Sequence, residues 1–268
     1  MNRISVGTTT ITHLSDGQFT LTRDLFPAAD KTVSEKLPAQ LNVFYIEQGT
    51  RKILIDTGAA KTFQDTLGHL PEALTAQHVS PADITDIFVT HGHLDHVGGL
   101  IDTAGNIVFK NAQISIHERE LQFWFEDEIY NSIPAENKIY FDIARRSLTP
   151  YKLNGMIKTF KPNADMGGGI FAVDLPGHTP GHSGFRISDG NDQLLIWGDI
   201  VHIPSVQLAH PTWQMNFDGD AEQGIHTRTK TLAEVAHDHI TVTGMHLPAP
   251  AFGNIETIGA GYRFTPRG

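Results

Sequence analysis

The run Thr90-His91-Gly92-His93-Leu94-Asp95-His96-Val97-Gly98-Gly99 places three imidazoles and one carboxylate within six consecutive residues. Neutral imidazole and carboxylate are favoured ligands of a borderline divalent ion such as zinc, and four such groups can serve two ions. Three later segments carry further candidates. Asp174-Leu175-Pro176-Gly177-His178-Thr179-Pro180-Gly181-His182 reads as a tight turn that presents His178. Leu194-Leu195-Ile196-Trp197-Gly198-Asp199 ends an apolar run on a carboxylate, and Thr241-Val242-Thr243-Gly244-Met245-His246 ends another on an imidazole. Two ions held close together acidify a bridging water to hydroxide near neutral pH, and one of them polarises a carbonyl or phosphoryl oxygen. Asp95 is the candidate to orient that hydroxide and to carry its proton to the leaving group. The expected chemistry is hydrolysis.

Candidates this far apart in sequence meet only if the elements carrying them lie side by side. Each follows a β-like run. Asp86–Thr90 has the apolar centre of a buried strand, and strand ends gather on one face of a layered sheet. Ile4–Thr12 and Gln18–Leu21 read as strands joined by an Asp16-Gly17 turn, and Leu41–Glu47 with Arg51–Asp56 as a hairpin around Gln48-Gly49-Thr50. Further strands are expected at Ile107–Ile116, Gly184–Ile187, Gln193–Trp197 and Ile240–Thr243. Helices are expected at Lys61–Leu70, Pro81–Ile84 (a single turn), Glu118–Glu126, Ala135–Arg146 and Ala221–His237. Hairpins followed by helices, twice over, predict an α+β fold, a four-layer αββα sandwich. No composition shift or linker divides the chain, so residues 1–268 are read as one domain.

From Ile53-Leu54-Ile55-Asp56-Thr57-Gly58, through the His-x-His-x-Asp-His cluster, to His178, Asp199 and His246, the order of motifs resembles the metallo-β-lactamase superfamily of binuclear hydrolases. The match covers nearly the whole chain. The resemblance implies that superfamily's αββα sandwich. It also implies that His91, His93 and His178 hold one metal ion, that Asp95, His96 and His246 hold a second, and that Asp199 bridges both. Two zinc ions are the first choice, although manganese, iron and cobalt suit the same donors. Asp56 is expected beside the ligands, accepting a hydrogen bond that fixes one imidazole, and His182 is read as a supporting rather than a ligating histidine.

Within the superfamily, Gly198–His202, Ser205–Gln207, Phe217–Asp220, His246–Gly253 and Tyr262–Phe264 resemble the methyl parathion hydrolase-like branch. More distantly they resemble the N-acyl homoserine lactonases. His202, on the loop leaving Asp199, is a candidate catalytic group facing substrate; those lactonases carry a Tyr aimed at the substrate carbonyl near this position, and the His here departs from their pattern. His13, His69, His78, His117, His210, His226, His237 and His239 receive no role. Aromatic walls for an acyl or aryl group are sought at Phe123, Trp124, Phe125, Tyr140, Trp213 and Phe252, with Trp213 preferred because its loop follows a metal-bearing strand.

Composition narrows the partners. Zero cysteines exclude disulfides and thiolate metal sites. A formal net charge of −10 argues against a nucleic-acid partner. The N-terminal residues lack the apolar stretch of a signal peptide, and no run is long enough to span a membrane, so a soluble, cytoplasmic protein is expected. The substrate read from this is a small neutral ester, a lactone or aryl ester first and a phosphotriester second. A homodimer is suggested by resemblance alone. A metal-stabilised binding protein without catalysis is the alternative of another class. An incomplete ligand set would favour it, and none of the seven ligands is missing.

Overall fold

The computed structural model describes residues 2–267; Met1 and Gly268, the two ends of the expected domain, lie outside the described residues. One sheet holds β1 (Arg3–Val6), β2 (Thr9–Thr22), β3 (Lys36–Gln48), β4 (Arg51–Ile55), β5 (Asp86–Phe88), β6 (Gln113–His117) and β7 (Ile157–Phe160), side by side in that order. The other holds β8 (Asp165–Gly167), β9 (Ile170–Asp174), β10 (Ser183–Asp189), β11 (Asp192–Ile196), β12 (Thr241–Thr243), β13 (Gly253–Ile258) and β14 (Gly261–Pro266), also in sequence order. Neighbours are antiparallel except for the parallel pairs β4–β5, β5–β6, β6–β7 and β11–β12. The helices are α1 (Leu70–Ala76), α2 (Leu94–Val97), α3 (Glu118–Phe125), α4 (Asp127–Ser132), α5 (Lys138–Leu153), α6 (Pro204–Gln207) and α7 (Ala221–His237).

Alternation along the strands decides the layers, because successive side chains point to opposite faces. Phe44, Ile46, Ile53 and Ile55 point between the sheets and meet Phe185, Ile187, Leu194 and Ile196 of the second sheet. Their neighbours Val43, Tyr45 and Leu54 face outward, beneath Leu70 and Leu74 of α1 and Leu148 and Tyr151 of α5. In the second sheet Leu195, Trp197 and Val242 cover the outer face against Leu232 and Val235 of α7. Each such aliphatic or aromatic side chain contributes roughly 1.5–3 kcal/mol on full burial. The layers therefore run helix, sheet, sheet, helix, as expected. No helix of the described residues is long and apolar enough to cross a membrane.

The expected Ile4–Thr12 strand folds back on itself as β1 and β2, which pair antiparallel from Arg3↔Thr12 to Val6↔Thr9, and local expectations fail at three further places. Asp16-Gly17 is not a hairpin turn but a bulge within β2, which pairs with β3 from Thr10↔Glu47 to Thr22↔Lys36. A 13-residue partner strand keeps the chain extended, and Gly17 absorbs the irregularity at φ 131°. The bulge turns Asp16 inward, where its carboxylate accepts the backbone N–H groups of Ala59 (2.9 Å), Gly68 (3.1 Å) and Leu70 (2.8 Å). That grip explains the second failure: residues 61–69 stay looped, and the helix begins only at Leu70. Third, only residues 113–116 of the expected Ile107–Ile116 strand are extended within a sheet, as part of β6. Asp102 holds the preceding turn through Ala104 and Asn106, and Ile107 makes a lone bridge to Ile101.

Candidate metal centre

Strand ends supply the site. β4 delivers Asp56, β5 delivers His91 and His93 with Asp95 and His96 on α2, β9 leads to His178, β11 to Asp199, and β12 to His246. The parallel pairings β4–β5 and β11–β12 put these ends on one rim of the sandwich. There His91 Nε2 lies 3.0 Å from His93 Nδ1, which lies 2.9 Å from His178 Nε2. Asp199 Oδ2 lies 3.0 Å from His246 Nε2, 3.2 Å from His96 Nε2 and 3.7 Å from both His91 Nε2 and His178 Nε2. Asp95 Oδ2 stands 3.6 Å from His96 Nε2 and 3.9 Å from His246 Nε2. His91, His93 and His178 form one group able to hold a divalent ion, and Asp95, His96 and His246 form another.

The residues fit such ions. His93 Nδ1 lies about 3 Å from both His91 Nε2 and His178 Nε2 and cannot share a proton with both, whereas neutral imidazoles converging in this way suit a divalent ion. His96 Nε2 and Asp199 Oδ1 are buried and have no hydrogen-bond partner among the described residues. Burial holds His91, His93 and His178 well below the ordinary imidazole pKa, so they stay neutral, the ligating form. Burial also opposes a charge on His96 and His246. There the carboxylates of Asp199 and Asp95 outweigh it and raise both, so positive charge is favoured at this point.

Most of the rings are held from behind. His96 Nδ1 donates to Asp56 Oδ2 (2.7 Å), His246 Nδ1 to Gln40 O (2.8 Å) and His178 Nδ1 to Asp218 Oδ1 (3.2 Å). Thr90 Oγ1 donates to Asp56 Oδ2 (2.6 Å) and lies 3.1 Å from His91 Nδ1, placed to accept its proton. His182 does not join the cluster: its Nε2 accepts the Asp199 N–H (2.9 Å) and its Nδ1 donates to Leu175 O (2.7 Å). His202 is different. Its Nε2 lies 3.3 Å from Asp199 Oδ2, its ring stacks on His246, and its buried Nδ1 has no partner among the described residues.

A cavity of about 860 Å³ opens above the cluster. His93, Asp95, His178, Asp199, His202 and His246 line it, and Phe19, Phe63, Phe123, Ile129, Ile133 and Tyr140 supply apolar wall. Among the described lining residues Arg119 is the one Lys or Arg side chain, and Asp174 holds it at 2.7 and 2.9 Å. Of the expected wall residues, Phe123, Trp124 and Tyr140 line the cavity. Phe252 is instead packed between the sheets against Phe44. Trp213 does not line the cavity either: it stacks on His210 at 3.9 Å, and its carbonyl accepts from the buried Arg228 (2.6 Å).

Three supporting residues receive no role from sequence reasoning, Asp218 being quoted only within the Phe217–Asp220 resemblance. Asp218 stands behind His178 and beside Arg228 (3.5 Å). Glu120 is a buried carboxylate on α3 that bonds the loops of His91–His93 and His178. Asn42 bonds the loop of His246. The available signal is a polar residue on an apolar face: Glu120 sits one turn before Trp124, and Asn42 interrupts the apolar run 41–46.

The pattern of the Metallo-beta-lactamase superfamily matches residues 38–241. A UPF0173 metal-dependent hydrolase of Alkaliphilus metalliredigens (strain QYMF) is 30% identical over 146 residues, 53% of this chain and 59% of that protein. Metallo-beta-lactamase domain-containing protein 1 of Xenopus laevis is 30% identical over 176 residues, 66% of this chain and 56% of that protein. The chain thus spans less than two thirds of the length of these curated relatives. Among solved structures, AidC, a dizinc quorum-quenching lactonase in complex with a product, superposes with a TM-score of 0.90 at 26% identity. The hydrolase AbOPH of the beta lactamase superfamily does so with 0.89 at 27%. Each comparison covers 99% of this chain and 97% of the other.

Proposed function

We propose that this chain, which belongs to the metallo-β-lactamase superfamily, is a binuclear-metal hydrolase of small neutral esters, with lactones and aryl esters preferred. The observation that carries the reading is a buried cluster of five imidazoles and two carboxylates on the floor of an apolar-walled cavity. His91, His93 and His178 would hold one ion, Asp95, His96 and His246 the other, and Asp199 both. Bound there, two divalent ions supply Lewis acidity and a nucleophilic water near neutral pH.

The chain's own groups do the rest. Phe63, Phe123, Ile129, Ile133 and Tyr140 take up the acyl or aryl part of the substrate and exclude water from it. Apart from the ions themselves, a free Lys or Arg for an anionic group is absent among the described lining residues, which supports a neutral substrate. Asp95, whose side chain is 15% exposed to the cavity, receives the proton of the attacking water and passes it to the departing oxygen. His202 has no partner behind Nδ1 among the described residues, and Asp199 Oδ2 at 3.3 Å from its Nε2 favours the proton there; from Nε2 it donates to the substrate carbonyl oxygen. That is the place of the lactonase tyrosine in the sequence comparison above. The lactone reading draws further support from AidC, itself a dizinc lactonase.

The test compares kcat/KM for an acyl homoserine lactone, an aryl ester and an aryl phosphotriester on one zinc-loaded preparation, with His91→Ala as control. A lactone or ester preference lost in the variant is expected. A phosphotriester preference would replace the substrate class, and turnover unchanged in His91→Ala would remove the metal mechanism.

A further inference from the structure

Two buried polar residues outside the ligand set grip the loops that carry the ligands, and each grips a different group. We propose that Glu120 positions the ligands of one ion, His91, His93 and His178, and that Asn42 positions His246 at the other. The two metal positions are then set by separate clamps. The inference rests on the two-ion reading given above.

Glu120 uses all its acceptor capacity across three segments. Oε1 accepts the Gly92 N–H (2.8 Å) and the Trp124 indole N–H (2.6 Å), and Oε2 accepts the Thr179 hydroxyl (2.6 Å) and the Gly181 N–H (2.9 Å). Gly92 lies between His91 and His93, and Thr179 follows His178. One carboxylate therefore sets the separation of the two loops that bring those three nitrogens together. The approach is as close as backbone permits: a Cβ at Gly92 would collide with the Trp124 indole, and one at Gly181 with the backbone of Glu120. A buried carboxylate is tolerated because four donors replace its water. It is also intolerant of change, since an amide there would turn an N–H group toward donors.

Asn42 works on the opposite side of the site. Its backbone N–H donates to Met245 O (2.8 Å), and its side-chain Nδ2 donates to Gly244 O (3.0 Å) and Leu247 O (2.9 Å). These carbonyls flank His246. His13 lies 2.6 Å from Asn42 Oδ1 through Nε2, which holds the amide in the orientation that faces the loop. A strand of one sheet thereby fixes a ligand delivered by the other sheet. His13, read from sequence as a histidine without a role, has its place here.

The experiment titrates metal-free protein with Co²⁺ under chelator competition and follows the visible spectrum. His178→Ala and His246→Ala serve as references that assign each stepwise constant and each spectrum to one position. The wild type is expected to bind two ions. Glu120→Gln is expected to weaken the His91–His93–His178 position about 10–100-fold and to leave the other within about 3-fold. Asn42→Asp, which keeps an acceptor for His13 and loses both side-chain donors, is expected to do the reverse. Thr179→Val and Asn42→Ala repeat the two arms where the first pair does not fold. Equal weakening of both positions, or a lowered Tm with neither constant changed, would overturn the clamps while leaving the two-ion reading intact. A wild type that binds fewer than two ions would overturn that reading, and the clamps with it.

Discussion

His96 and Asp56 are joined by a 2.7 Å hydrogen bond, Nδ1 to Oδ2, between residues delivered by adjacent parallel strands, with both side chains buried. The same carboxylate accepts the backbone N–H of Thr90 (2.7 Å) and its hydroxyl (2.6 Å). Asp56 adopts φ 60°, a left-handed conformation that Asn also accepts at little cost. Asp56→Asn therefore isolates the charge from the backbone. Its amide keeps one oxygen for three donors, so His96 loses its charged support, and metal affinity should fall about 10–100-fold. Equilibrium dialysis against zinc measures it; unchanged affinity would show that His96 needs no carboxylate behind it.

His202 should separate catalysis from metal binding. Replacing it with Asn keeps a polar side chain but removes a group able to exchange a proton, and kcat should fall about 100-fold or more. Both ions should remain, because the seven ligands are untouched. Metal analysis beside steady-state kinetics distinguishes the cases. Loss of one ion from His202→Asn would make this histidine a ligand, since its Nε2 also lies within reach of His178 and Asp199.

The candidate metal cluster and the layers were legible in sequence for the same physical reason: both depend on local regularities. His91, His93, Asp95 and His96 stand together in the chain, and alternation at 43–46 and 53–55 forces one residue toward the sandwich core and the next toward a helix. Helix α7 matched its expected bounds because its cap, Asp220, accepts the Gln223 N–H at its start. What depends on distant partners was not legible. Trp213 follows a ligand strand in sequence, yet Arg228 on α7 decides where its loop lies. Asp16-Gly17 has the composition of a turn, but β3 pairs straight past it.

Asp16 should show in stability what it does in the fold. Burial pushes its carboxyl above the ordinary 3.8, against the pull of three backbone N–H donors. The folded state then binds the proton more tightly than the unfolded state. This group's contribution to stability is therefore highest below about pH 3.8 and declines as pH rises to the folded pKa, staying level above it. Asp16→Ala removes that slope and leaves three N–H groups without their acceptor, a loss of roughly 3 kcal/mol at neutral pH. Urea denaturation of metal-free protein from acid to neutral pH measures the gap. It should be widest at the acid end; a gap that widens toward neutral pH would show a lowered carboxyl instead.

Phe63 tests the cavity wall without entering the core. It is 41% exposed, lines the cavity, and meets Phe19 edge-on at 5.5 Å; Phe19 in turn meets His246 edge-on at 5.4 Å. Phe63→Ala removes apolar surface from the substrate's path but no ligand, cap or buried contact of the sandwich. The lost contact, about 1 kcal/mol, should raise KM about 5-fold for esters with a long acyl or aryl group. Short-chain esters should barely respond, and kcat should hold throughout. Michaelis kinetics over a series of acyl chain lengths decide the matter. An equal loss at every length, with kcat falling, would mean that Phe63 acts through Phe19 on the placement of His246 and that the apolar part of the substrate binds elsewhere.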